Sequence, residues 1–325
     1  MTDAWGRREL IGRGVALGAG VFASALPAPA EAREKAGGAA GDSFTFLHYT
    51  DIHVEPELHA TQGFAKAIDA MKRAAPGAAF ALCGGDLVFD ANAVPFARAA
   101  HLYDLYGEQS RRLGVPIHHC LGNHDIFALG PAGSGVPADD PHSGKSLFLA
   151  RTGLKQTYYS FDHANWHFAV LDTVQITTSS TGDRSWRGFV DDAQMVWLAA
   201  DLEKTGKAAP TILLVHMPIL CAITQYTKGT TEPTPDKLIV ANGKAVKELI
   251  QPYNVKAVLQ GHTHVVEEIA YLGARYISAG AVCGDWWKGW RLGVHPEGFT
   301  VCTAHADGEF AWRYVPYGWA ADKPA

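Results

Sequence analysis

The sequence predicts a layered α/β domain that begins near Ser43. Three observations predict it. Short apolar runs of strand length alternate with segments of helical character, and those segments carry start or stop signals. The chain, with 325 residues of which 47% are hydrophobic and 19% charged, also has enough apolar material for a large core. A formal net charge of −5 gives no electrostatic reason to expect a nucleic-acid partner.

The elements follow in order. "FTFLHY" (44–49) is rich in β-forming residues, and "TQGFAKAIDAMKRAAP" reads as a helix that starts at Thr61 and stops at Pro76. "AFALC" (79–83) is a short buried strand, 92–114 is a long helical segment, and "VPIHHC" (115–120) is the next strand. A Gly- and Pro-rich loop runs through Ser146. "TYYSFDHANWHFAVLDT" then reads as an antiparallel hairpin turning at Asp162 to Asn165. A helix over 191–206, an apolar strand "TILLV" (211–215), a long loop to Asp236, a helix over 243–253 and the strand "KAVLQ" (256–260) follow. The tail from Val265 to Pro316 reads as strands separated by Gly-containing turns. No internal repeat and no linker divides 43–325, so it is expected to be one domain.

Ahead of it, Arg7 and Arg8 precede a mildly apolar run and the small-residue stretch "PAPAEA". This pattern resembles a cleaved Tat-type signal over 1–32, with 33–42 as a flexible leader. It implies contact with the Tat export machinery and a periplasmic or otherwise exported location. Arg13 interrupts the apolar run, which makes a stable membrane span a poor reading. Five cysteines leave at least one unpaired and fix no disulfide.

Each short strand ends in groups that bind metals. The first runs into Asp51 and His53, the second into Asp86, "VPIHHC" into "LGNHD" with Asn123, His124 and Asp125, "TILLV" into His216, and "KAVLQ" into "GHTH" with His262 and His264. In open α/β sheets ligands gather outside the carboxyl ends of strands, so these residues can converge in one crevice. Asp51 and His53 are two apart, as are His262 and His264. On an extended chain each pair would face one side. Two glycines before Asp86 let backbone approach an ion closely. Alone, each of these short patterns is ordinary loop chemistry; together and in order they point to a metal site. Imidazoles with carboxylates and an amide oxygen suit Mn, Fe, Zn or Co.

The order "DIH", "GGD", "GNHD", "H", "GHTH" resembles the calcineurin-like metallophosphoesterases over roughly Phe44 to Ser278. The resemblance implies a four-layer αββα sandwich, two mixed β-sheets flanked by helices, with two metal ions at the C-terminal ends of strands. It implies Asp51, His53, Asp86 and His264 around one ion and Asp86, Asn123, His216 and His262 around the other. His124 would face the leaving group, with Asp125 as its orienting partner. The purple acid phosphatase variant is excluded on the same comparison, because Phe89 stands where that subgroup has a tyrosine and His53 is present.

The implied reaction is metal-dependent hydrolysis of a phosphomonoester or phosphodiester. Paired ions would activate water as hydroxide and clamp the phosphoryl oxygens. The rival reading is a catalytically silent metal- or partner-binding module on the same fold, which would be expected to lack a ligand or the histidine beside Asn123; none is missing. A small-molecule phosphate ester is the expected partner. Arg184, Arg187, Trp286 and Trp287 are the candidate substrate contacts, since Arg can bind phosphate and Trp can stack on a ring. Substrate, metal identity and oligomeric state stay open.

Overall fold

The computed structural model describes residues 43–129, 136–137 and 139–321; the arginine pair and its apolar run (1–32) and the leader (33–42) lie outside the described residues. In chain order the strands and helices are β1 (Ser43–Tyr49), α1 (Ala60–Ala74), β2 (Ala81–Cys83), α2 (Phe96–Ser110), β3 (Ile117–His119), α3 (Ser146–Thr152), β4 (Tyr159–His163), β5 (Trp166–Val170), β6 (Val174–Thr178) and β7 (Arg184–Gly188). They continue with α4 (Asp192–Thr205), β8 (Thr211–Leu214), α5 (Ile223–Lys228), α6 (Gly243–Ile250), β9 (Val255–Gln260), β10 (Val266–Tyr271), β11 (Ala274–Ala279), β12 (Gly298–His305) and β13 (Phe310–Pro316).

Two mixed sheets result, ordered β13-β12-β1-β2-β3 and β10-β11-β9-β8-β5-β4. β1, β2 and β3 run parallel, as do β5, β8 and β9, so each sheet sends several strand ends in one direction. Strand side chains alternate faces, and here both faces are buried. In β8, Ile212 and Leu214 join an aromatic-rich cluster between the sheets, whereas Leu213 joins the cluster that includes the helices. Phe46 of β1 stacks on Phe80 at 5.2 Å and meets Phe168 of β5 edge-on at 5.5 Å, which closes one sheet on the other. On the outer faces Phe64 of α1 stacks on Tyr106 of α2, and Leu198 of α4 lies in the same cluster as Val246 of α6. The arrangement is an αββα sandwich.

Local chemistry explains where α4 begins. Asp191 caps α4 by accepting from the Gln194 backbone N–H at 2.8 Å. Thr61, read as a helix start, lies one residue inside α1, and its hydroxyl donates to the Glu55 carbonyl. Two segments differ from the sequence reading. The stretch with Arg184 and Arg187, to which the sequence assigned no element, is the hairpin β6–β7, and the long loop before Asp236 contains α5. All five cysteines are free and buried. No helix among the described residues is long and apolar enough to cross a membrane.

His167 in β5 is clamped between two carboxylates: Nδ1 lies 2.7 Å from Asp162 and Nε2 2.9 Å from Asp201. Burial alone would lower its pKa, but the two aspartates outweigh burial and raise it. A raised folded-state pKa means the ion pairs contribute stability that is full below about pH 6.5, the ordinary imidazole value, and is lost as pH climbs through the raised value. Substituting His167→Gln is therefore expected to lower Tm most below pH 6 and progressively less above pH 7. Thermal melts across that range check this; a Tm difference independent of pH would contradict it.

Candidate metal centre

The ends of β1, β2 and β3 from one sheet meet those of β8 and β9 from the other, and the seven predicted donors converge there. Asp86 Oδ2 lies 3.4 Å from His53 Nε2 and 3.2 Å from His216 Nε2, so one oxygen sits between two imidazoles. On the first side, His264 Nε2 is 3.3 Å from both His53 Nε2 and Asp51 Oδ1. On the second, the Asn123 amide oxygen is 3.1 Å from His216 Nε2, and ligand atoms of Asp86, His216 and His262 lie within 4.8 Å of one another. All of these residues are buried except His262, which is partly exposed.

The donors fit divalent ions on two counts. Ligands about 2.1 Å from one ion stand roughly 3.0–3.4 Å apart, which is the spacing of most of these contacts. Each imidazole also has one nitrogen engaged by a main-chain carbonyl: His216 Nδ1 donates to Gly84, His264 Nδ1 to Gly284, His262 Nε2 to Lys237, and His53 Nδ1 faces Phe89 at 3.4 Å. The outer proton is fixed, and the other nitrogen turns its lone pair inward. Charge argues the same way. Burial would raise Asp86, but His216 and its neighbours outweigh that and hold it well below the usual carboxylate range. Burial pushes His53 down to about 3 and His262 to about 4, which keeps both neutral. His216, which burial would also lower, is lifted to about 9 by Asp86 and Asp51, so an ion held at its Nε2 would displace a proton. Two ionised carboxylates in a buried pocket call for compensating positive charge.

The backbone delivers these donors in a way the spacing did not foretell. Asp51, His53, Asp86, His262 and His264 all have left-handed φ, between 45° and 70°. Asp51 and His53 therefore converge through alternating left-handed turns, not along an extended strand, and so do His262 and His264. The glycines before Asp86 also have another use: a Cβ on Gly85 would lie 2.7 Å from the Gly122 backbone N and 2.8 Å from His216 Nδ1. They make room for the neighbouring loop and ligand instead of for an ion.

Asp125 needs a correction. Its carboxylate accepts backbone N–H groups of Asp86, Leu87 and Gly122 at 2.8–2.9 Å, so it ties the "GNHD" turn to the Asp86 loop and does not orient His124. Asp90 has that position, 3.6 Å from His124 Nδ1. Nothing in the sequence marked Asp90, because only the folding of its loop brings it alongside. Asn92 secures the same turn by donating to the carbonyls of Asn123 and Ile126.

The proposed substrate contacts separate. Trp287 is 1% exposed; its Nε1 donates to the His53 carbonyl at 2.9 Å and its ring fills the space left by Gly63, so it is a core residue. Arg184 donates to Ser143 Oγ and Arg187 to Gln175 Oε1, which engages both guanidiniums with the protein. Trp286 stands over the site, its ring 4.0 Å from that of His53. Trp186 of β7, overlooked in the sequence, lies edge-on to His262 at 5.8 Å.

Fold and donor set together define a metal-dependent hydrolase with a dinuclear centre. Residues 44–266 match the model of the calcineurin-like phosphoesterase family, and the chain belongs to that family. Among solved structures, a dimetal phosphatase from Danio rerio superposes with a TM-score of 0.57 at 14% identity, covering 85% of this chain and 97% of that one. The inner membrane complex anchor of Plasmodium superposes with a TM-score of 0.53 at 15% identity, covering 87% of each. At such identity these likenesses speak to fold alone. No curated protein shows significant sequence similarity to the chain.

Proposed function

We propose that the chain cleaves the ester bond of a small-molecule phosphate ester, with Asp51, His53, Asp86 and His264 around one divalent ion and Asp86, Asn123, His216 and His262 around the other. The observation that carries this reading is the single Asp86 oxygen between one imidazole of each set. Bound there, the ions would neutralise phosphoryl oxygens and lower the pKa of water toward neutrality. The chain's own residues supply the rest. His124 is next to Asn123, and its backbone N–H holds Asp86 Oδ1 at 2.8 Å. Asp90 lies 3.6 Å from its Nδ1, which places the imidazole to give a proton to the departing oxygen.

The test is to strip the purified protein with a chelator, reload it separately with Mn, Fe, Zn or Co, and assay p-nitrophenyl phosphate and bis(p-nitrophenyl) phosphate. Close to two equivalents of metal and hydrolysis only after reloading are expected. Undiminished turnover in a metal-free preparation would overturn the reading, and the ratio of the two substrates separates monoesterase from diesterase.

The same reading takes the protein to be exported to the periplasm through the Tat route, supported by Arg7 and Arg8 ahead of the apolar run. Changing both to Lys is expected to hold the precursor in the cytoplasm. Normal delivery of that double variant, followed by fractionation, would point to another route.

A further inference from the structure

We infer that Trp286 is the wall of the site on the leaving-group side and selects phosphate esters whose leaving group carries a flat aromatic ring close to the ester oxygen. The inference rests on the phosphoesterase reading and adds a substrate class to it.

The geometry starts from the loop after β11. Val282 and Cys283 donate backbone N–H groups to the carbonyls of Thr50 and Asp51, and the Gly284 carbonyl accepts from His264, so this loop is stitched along the ligand-bearing loop after β1. Trp287 then acts as a peg. Its Nε1 donates to the His53 carbonyl, and a Cβ on Gly63 would lie only 2.2 Å from its Cζ3, so α1 can seat this indole only with glycine at that position. Trp286 and Trp287 both have left-handed φ, 56° and 65°, a conformation bulky residues rarely adopt. Bulky residues held in that way cluster at functional sites. With Trp287 pegged inward, the chain presents the Trp286 ring to the site.

That ring lies 4.0 Å from His53, 5.0 Å from His124 and 5.6 Å from His264. It is partly exposed, unlike the histidines His53 and His264 beneath it. A group departing toward His124 must pass along the indole. A planar ring there gains stacking that a saturated ring of equal size does not, an effect of about 3–10-fold in affinity.

The experiment uses the metal-loaded protein and two phosphonates that cannot be hydrolysed, benzylphosphonate and cyclohexylmethylphosphonate, titrated by calorimetry. The matching phosphates, whose leaving alcohols have similar acidity, report on turnover. The native protein is expected to favour the benzyl member of each pair by about 3–10-fold. Trp286→Leu is expected to remove the preference with metal content unchanged, and Trp286→Phe to restore most of it. Equal affinities in the native protein, or a preference that survives Trp286→Leu, would overturn the inference while leaving the phosphoesterase reading intact. A loaded protein that binds neither phosphonate and hydrolyses neither phosphate nor p-nitrophenyl phosphate would overturn both.

Discussion

Asp86→Ala is expected to release both metal ions and to lower kcat/KM by about 10³–10⁵, since the lost Lewis-acid stabilisation amounts to several kcal/mol and each 1.36 kcal/mol is tenfold. Asp86 is singled out because Oδ2 is shared between the His53 and His216 imidazoles, while Oδ1 accepts the His124 backbone N–H. Asp51→Ala and His216→Ala each touch one side of the site, so each is expected to retain more metal than Asp86→Ala. Metal analysis of the three variants beside kinetics and circular dichroism checks the ordering. A folded Asp86→Ala protein that still holds two equivalents would show that the oxygen does not bridge.

The second large effect belongs to His124. Replacing it with Gln is expected to leave both ions bound and to cost about 10²–10⁴ in kcat, the usual range for a positioned general acid. The loss should grow with the pKa of the leaving alcohol, because p-nitrophenolate departs without a proton whereas an alkoxide does not. Equal losses on an aryl and an alkyl phosphate, with chemistry limiting in both, would mean that His124 positions the phosphoryl group instead of protonating the leaving oxygen. Asp90, 3.6 Å from Nδ1, is the group expected to support the proton, and Asp90→Asn should weaken the same leaving-group dependence.

Much of this was legible in the sequence because strand ends in a parallel sheet point one way. Once "FTFLHY", "AFALC", "VPIHHC", "TILLV" and "KAVLQ" are read as strands, their following residues must gather, and the structure brings Asp51, Asp86, Asn123, His216 and His262 into one pocket. The part that was not legible depends on backbone angles and long-range approach. Residue types do not reveal that Asp125 turns toward the N–H groups of Asp86 and Leu87 while Asp90 reaches His124. Nor does "WW" reveal which indole is inside: Trp287 fits the gap at Gly63, more than 200 positions earlier in the chain, and only that match assigns the two rings. The hairpin β6–β7 was missed because its strands are only partly buried and largely polar, so the apolar alternation that signals a strand is weak there.

The five left-handed donors carry a consequence for when free energy is committed. For L-residues that conformation costs up to about 1–2 kcal/mol each, less for Asp and His than for bulkier side chains. Five together can approach the roughly 5–15 kcal/mol that separates a typical folded domain from its unfolded chain. This burden falls on the folding step, where the aromatic layer between the sheets offsets it. An arriving ion meets side chains already turned toward it and has little backbone left to rearrange, so the strain of that geometry is met before capture and not during it.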